Sequence, residues 1–259
     1  MNLTANTILL TGGTSGIGLS LALRLQALGN IVIVTGRDPD RLARIAKDHP
    51  AIRAIRSDVS DPVAIASLYR QVTEEFPALN MLINNAGVMR KINLQDSGDD
   101  LEDLTREVEI NLTGPIRMVK QFLPQLKRQP RAAIINVTSG IAFTPYPVSP
   151  IYGATKAGMH SFTQSLRVQL KDTNVEVFEL APPATATQLQ SAFDAADTKG
   201  VPIMSVTKLT EAAIKGLKAG RPEILPGLSK VLQTISRISP ALGVKALSGS
   251  VDAMLAQTK

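Results

Sequence analysis

The chain has 259 residues, a net charge of +6, no cysteine and 3 % aromatic residues. Lack of cysteine excludes disulfides, thiolate metal sites and cysteine nucleophiles. Dispersed cations and scarce aromatics argue against a nucleic-acid partner, which needs stacking platforms beside its positive charge.

The N-terminal stretch MNLTANTILLTGG lacks a basic leader and a long apolar core, so it does not read as a signal peptide. No apolar run approaches the ~20 residues that span a bilayer. A cytoplasmic protein with no stable membrane insertion is expected. In chain order, apolar and β-branched runs predict strands at residues 7–11, 31–35, 52–57, 81–84, 132–138 and 175–180. They are nearly continuous in apolarity, as in strands covered on both faces. Between them lie segments such as GLSLALRLQAL, PDRLARIAKD and PVAIASLYRQVTEEF, whose apolar spacings of three and four predict helices. Asp38 before Pro39 and Asp61 before Pro62 supply N-caps followed by proline in the first turn. Beyond residue 180 the pattern loosens into a proline-bearing loop with a short helix, residues 182–204, that would overlie a site. A helix at 205–218, a short last strand in RPEILPG and an amphipathic tail over 228–257 complete the chain. That tail, with Val231, Leu232, Ile235 and Ile238, suits packing on its own domain, an oligomer contact or a membrane surface. The β-α-β-α succession implies one α/β domain over residues 1–259, a Rossmann-type doubly wound parallel sheet with helices on both faces.

The first strand runs into TGGTSGIG, with four glycines between residues 12 and 18. In a doubly wound sheet this turn faces the crevice where the strand order reverses and nucleotides bind. The free N–H groups of the following helix attract phosphate, and glycine lets the backbone come close. The spelling is not a P-loop, because Leu19 stands where that loop needs lysine. Nor is it G-x-G-x-x-G, because position 21 is Leu21. It is T-G-x-x-x-G-x-G, carried by Thr11, Gly12, Gly16 and Gly18.

Four further stretches stand in a telling order: NNAG at 84–87, Asn111 inside a long helical segment, VTSG ending in Ser139–Gly140, and YGATK from Tyr152 to Lys156. With the glycine turn they make the chain resemble the classical short-chain dehydrogenase/reductase family over about residues 7–187. The stretch SGIAFTPYPVSPIYGATK and the pair Pro182–Pro183 look most like oxidoreductases found alongside teichoic-acid D-alanylation genes. Relatives commonly have Pro-Gly where this chain has that double proline.

Tyr152 is the candidate proton donor to the alkoxide that forms when hydride reaches a carbonyl. Lys156, four residues on, shares its helix face. A unit charge at ~4 Å would lower the phenol by about three pKa units at an effective dielectric of 20. Ser139 would hydrogen-bond the substrate carbonyl where charge develops. The resemblance implies that Lys156 also binds the nicotinamide ribose and that Asn111 anchors a water beside it. It also assigns Gly12, Thr14, Ser15, Gly16, Ile17 and Gly18 to the cofactor, with Asn85, Ala86, Gly87, Pro182 and Thr187. Asp58 and Val59 match positions that flank the adenine.

Cofactor choice falls at the end of the second strand, in IVTGRDPD. The slot for an acid that would bind the ribose 2′-OH is Gly36, and Arg37 follows it, which suits a 2′-phosphate. NADP(H) is therefore favoured over NAD(H), although Ser15 occupies the family's second basic position. The expected activity is hydride transfer between a nicotinamide and an apolar carbonyl compound or secondary alcohol. The resemblance implies a homodimer or homotetramer.

Other readings are weaker. A cofactor-sensing regulator of the same fold typically lacks the tyrosine or lysine, and here both are present. An epimerase of the extended branch usually has a longer substrate domain, and a basic scaffold rests on charge alone. His49 and His160 are too few for a metal site, and Ser139 lacks the setting of a hydrolase nucleophile.

Overall fold

The computed structural model describes all residues except 97–99, 190–192, 194–200, 250 and 257–259. Seven parallel strands form one sheet in the order β3-β2-β1-β4-β5-β6-β7. They are β1 (Thr7–Thr11), β2 (Ile31–Gly36), β3 (Ile52–Arg56), β4 (Leu79–Asn84), β5 (Ala132–Val137), β6 (Val175–Leu180) and β7 (Glu223–Ile224). The order reverses between β1 and β4, so the crevice of a doubly wound fold opens at their C-terminal ends.

Alternation along the strands divides the core into two layers. Ile8 and Leu10 of β1 pack with Leu21 and Leu25 of α1 (Gly16–Ala27), Ile45 of α2 (Pro39–Asp48), and Leu209 and Leu217 of the later helix Val206–Lys218. Leu9 points the other way. It joins Leu68 and Val72 of α3 (Pro62–Glu75), and Met118 and Phe122 of the helix Gly114–Lys127. Strands covered on both faces are apolar along most of their length, which explains the runs in β1 and β2, whereas β3 exposes Arg53 and Arg56.

β4 starts two residues earlier than its apolar run, because Asn80 is paired: its Oδ1 accepts from Thr7 N at 3.0 Å. The caps behave as expected. Asp38 Oδ1 accepts from the N–H groups of Asp40 and Arg41, and Asp61 Oδ1 from Val63 N.

The long segment around Asn111 is α4 (Leu101–Val108), a π-turn (Glu109–Thr113) and α5 (Gly114–Lys127). A short 3-10 turn (Gly140–Ala142) follows β5, and α6 (Pro150–Gln169) carries the YGATK stretch. Beyond β6, residues 190–192 and 194–200, much of the expected loop and short helix over the site, lie outside the described residues. The base of that loop is held by a bridge between Thr185 and Met204, and α7 (Val206–Lys218) follows it. The expected continuous tail is instead three short helices, α8 (Leu228–Ile238), α9 (Pro240–Leu247) and α10 (Val251–Ala256). Pro240 has no N–H to continue a helix, so the chain breaks at Ser239 and restarts with proline in the first turn. α8 packs on the 3-10 turn: a Cβ on Gly140 would lie 2.7 Å from Ser229 Oγ.

Candidate active site

The glycine turn is held by the NNAG loop. Thr11 Oγ1 accepts from the N–H groups of Asn85 at 3.0 Å and Ala86 at 3.1 Å. Asn85 Nδ2 donates to Thr11 O and Gly12 O, both at 3.0 Å. Its amide hydrogens thus stiffen the turn. Gly12 has φ +68°, a region that side chains resist, and a Cβ there would meet Ala86 Cα at 2.8 Å. Gly18 is tighter, since its Cβ would fall 2.2 Å from Gly12 O. Ser15 precedes α1 without a side-chain cap bond, and there is no acid in the first turn. The helix end therefore keeps its free N–H groups and positive partial charge, the features that hold phosphate. Thr187 lies over Gly16, 3.4 Å from where a Cβ would be.

At the second strand's end, Arg37 Nη1 is 3.6 Å from Asp58 Oδ2. Burial raises the Asp58 pKa, but hydrogen bonds from Ser60 and the Arg37 charge outweigh it and leave the carboxyl below its ordinary value. Val59 is buried in the core, and its carbonyl would be 2.5 Å from a Cβ on Gly114.

Ser139, Tyr152, Lys156 and Asn111 converge at the C-terminal ends of β4 and β5. Ser139 follows β5 and hydrogen-bonds Tyr152. Tyr152 and Lys156 lie one turn apart on α6, both about 95 % buried. Lys156 Nζ is 5.5 Å from the Tyr152 ring centroid and donates to Val137 O at 3.0 Å. Pro182 O, on the opposite side, accepts from Gly140 N at 2.8 Å and ties the next loop to the Ser139 turn.

Asn111 ties the loop after β4 to α6. Its Oδ1 accepts from Val88 N and its Nδ2 donates to Val88 O, both at 2.8 Å, and Nδ2 also reaches Thr155 Oγ1 at 3.2 Å. The π-turn swings this amide toward the NNAG loop; Gly114 N closes the wide turn onto Glu109 O. Such single wide turns are frequent at functional sites. Gly87 passes so close that a Cβ would be 3.2 Å from Asn111 Oδ1 and 3.7 Å from Lys156 Nζ.

The electrostatics correct one expectation. The spacing predicts that Lys156 lowers the Tyr152 pKa; instead burial raises it, opposed by the Ser139 hydrogen bond and reinforced by the negative charge of Glu107. Burial also holds the Lys156 ammonium down to about 8. Desolvation disfavours both charged forms, and in a site this closed it outweighs the pairing that spacing alone suggests.

Two buried groups escape a reading of motifs. Glu107, on α4, is fully buried one turn before Asn111 on the same helical face. Its i−4 spacing from Asn111 is the signal that could have found it. Behind Ser139, the buried carboxylate of Glu179 accepts from Thr138 Oγ1 at 2.6 Å and pairs with His160 Nδ1 at 2.8 Å. The hydrogen bond to Glu179 raises the His160 pKa. A raised folded-state value stabilises the fold below histidine's ordinary value of about 6.5. That contribution is lost as pH rises through the folded value. Urea denaturation of wild type and His160→Gln should therefore show the larger stability gap at pH 6 and a smaller one at pH 9.

Parallel topology, the nucleotide crevice and the Ser-Tyr-Lys constellation together define a dinucleotide-fold oxidoreductase. The chain belongs to the short chain dehydrogenase family, whose pattern it matches over residues 6–198. It is 42% identical over 226 residues to the uncharacterized oxidoreductase DltE of Bacillus subtilis (strain 168), covering 86% of this chain and 89% of that protein. Its fold is similar to a short chain dehydrogenase from Burkholderia cenocepacia J2315 in complex with NADP, with TM-score 0.81 and 22% identity over 95% of this chain and 99% of that one. It is also similar to 3-ketoacyl-(acyl-carrier-protein) reductase from Brucella melitensis complexed with NADH, with TM-score 0.77 and 27% identity over 85% and 94%.

Proposed function

We propose that the protein is an NADP(H)-dependent reductase of carbonyl compounds, or a dehydrogenase of the corresponding secondary alcohols. The observation that carries this reading is the convergence of Ser139, Tyr152 and Lys156 beside a glycine turn that side chains would fill. The bound cofactor supplies or accepts the hydride. Gly12, Thr14, Ser15, Gly16, Ile17 and Gly18 would hold its pyrophosphate, helped by Thr187 across the turn, with Ala86, Gly87 and the backbone of Asn85 beside it. Pro182 would border the nicotinamide, and Asp58 and Val59 the adenine.

Two features favour the 2′-phosphorylated cofactor. Arg37 offers a guanidinium at the second strand's end, and Gly36 has no room for an acid, because a Cβ there would meet Thr14 Cγ2 at 2.8 Å. In the reaction, Ser139 orients the substrate oxygen and Tyr152 delivers its proton. Lys156, when protonated, balances the charge left on the phenol and binds the nicotinamide ribose. Asn111 fixes the floor between the NNAG loop and α6 through Val88 and Thr155. The stretches expected to wall the site, residues 88–94 and 141–151, include Met89, Ile141 and Phe143, and they would suit an apolar carbonyl. We place the protein in the cytoplasm as a homodimer or homotetramer. Among the described residues no helix is long and apolar enough to cross a membrane.

Following NADPH absorbance at 340 nm with a panel of apolar ketones and aldehydes tests the reading. Consumption dependent on a carbonyl is expected, and slower as pH rises through about 8, where Lys156 loses its charge. NADPH binding without consumption across the panel would instead favour a cofactor-sensing protein.

A further inference from the structure

Three consecutive residues at the end of β5 are tied to α6 by polar bonds. Asn136 Nδ2 donates to Thr163 Oγ1 at 2.9 Å, and Val137 O accepts from Lys156 Nζ at 3.0 Å. The third tie, at Thr138, runs through a charged side chain. Thr138 Oγ1 donates to Glu179 Oε1 at 2.6 Å, and His160 Nδ1 lies 3.0 Å from the same oxygen and 2.8 Å from Oε2.

Glu179 has no exposed surface. Burying a carboxylate is costly, and an apolar side chain of similar volume would pack as well or better. A satisfied buried network rigidifies the parts it joins, so those parts indicate its use. Thr138 precedes Ser139, and its N–H donates to Leu180 O at 2.8 Å. Gly140 follows Ser139 and is held to Pro182 O, so both neighbours of the serine are anchored to β6 or the residues just after it. His160 lies four residues after Lys156 and eight after Tyr152, on the helix face that bears both. Its ring also meets the Phe143 ring edge-on, with centroids 4.8 Å apart. Phe143 closes the 3-10 turn that begins at Gly140. The imidazole therefore touches β6 on one side and the serine turn on the other.

We infer that Glu179 and His160 are positioning residues for Ser139: the carboxylate shared by Thr138 and His160 sets the strand end that carries the serine against the helix face that carries Tyr152 and Lys156. This rests on the proposed role of Ser139, while the pairing itself is independent of turnover. A carboxylate only accepts, so Nδ1 carries a proton whether the imidazole is neutral or cationic. The other charges acting on His160 are Glu223 of β7 and Arg167 of α6. These two face each other at 3.9 Å. Arg167 also donates to Val177 O and Pro222 O, and Glu223 accepts from Gln233 of α8.

Imidazole proton–nitrogen NMR of the full-length protein reads the pair without substrate. The chain has two histidines, His49 and His160, so the spectrum of His160→Asn assigns them. At pH 8 His160 should carry a proton on Nδ1, and Thr138→Val should shift its ring nitrogens while Thr138→Ser leaves them in place. A bare Nδ1, or a Thr138→Val spectrum identical to wild type, would overturn the pair. Kinetics read the positioning, because misplacing a reacting group by about 1 Å can cost about 10²-fold. With a carbonyl substrate, kcat should fall about 10-fold in Thr138→Val and return to within about 2-fold in Thr138→Ser, with the NADPH Kd unmoved in both. A lower melting temperature with kcat per folded molecule unchanged would show a structural role alone and overturn the inference. If Thr138→Val fails to fold, His160→Leu, at a partly exposed site, should show the same fall, with rescue by His160→Asn, which keeps a donor where Nδ1 stood. If wild type turns over no carbonyl, the enzymatic reading fails, and hydrogen exchange of residues 138–143 decides the positioning. Exchange at least about 5-fold faster in Thr138→Val than in wild type and Thr138→Ser is expected, and equal exchange in all three would overturn it.

Discussion

Tyr152→Phe should lower kcat about 10³-fold while leaving the Kd for NADPH within about 2-fold. The phenol is the proton donor of the account, and general acid catalysis by a positioned group contributes about 10²–10⁴-fold. The ring is 5 % exposed and packs in the site, so removing one hydroxyl leaves its volume in place. The lost contacts are the hydrogen bond with Ser139 and the proton itself. Single-turnover kinetics with wild type and variant at equal cofactor saturation check the prediction. Turnover at the wild-type rate would remove Tyr152 from the chemistry.

Arg37→Ala should weaken NADPH binding about 10- to 100-fold and change NADH binding by less than about 2-fold. A charge-assisted hydrogen bond contributes about 1.5–3 kcal/mol, which corresponds to that range. A second effect acts in the same direction. Arg37 lies 3.6 Å from Asp58 and, after the hydrogen bonds from Ser60, helps to hold that carboxyl below its ordinary value. Without the guanidinium, a 2′-phosphate entering beside Asp58 would meet an uncompensated negative charge. Isothermal titration with both nucleotides separates this loss from a general collapse of the site. Equal loss for NADH and NADPH would show that Arg37 serves the fold and not the choice of cofactor.

The central strands were legible because both faces of the sheet are covered there, so their runs are largely apolar, whereas β3 exposes Arg53 and Arg56. Where a strand contains a polar residue with a partner, as Asn80 does in β4, its start is hidden from an apolarity reading. The glycine turn and the Ser-Tyr-Lys spacing were legible as spelling, and the topology brings them into one crevice. The direction of the Tyr152 shift was not. Spacing puts Lys156 near the ring, but the cost of burying both groups depends on how the loops close around them. Glu107 was hidden for a related reason. An acid in a charged segment such as LEDLTREVE reads as solvated surface, and only its phase with Asn111 marks it as inward-facing. Asn85 reads as a cofactor residue from its motif; that its amide hydrogens brace the glycine turn is visible only in the fold. The tail was readable as helical and apolar, but Pro240 divides it.

The central claim is that the crevice between β1 and β4 takes a nicotinamide dinucleotide with a 2′-phosphate. Fluorescence titration of the purified protein with NADPH and, separately, NADH tests it most directly. Saturable binding of both is expected, tighter for NADPH, with the difference abolished in Arg37→Ala. Binding of neither nucleotide would contradict it, and tighter binding of NADH would contradict the role given to Arg37 and Gly36.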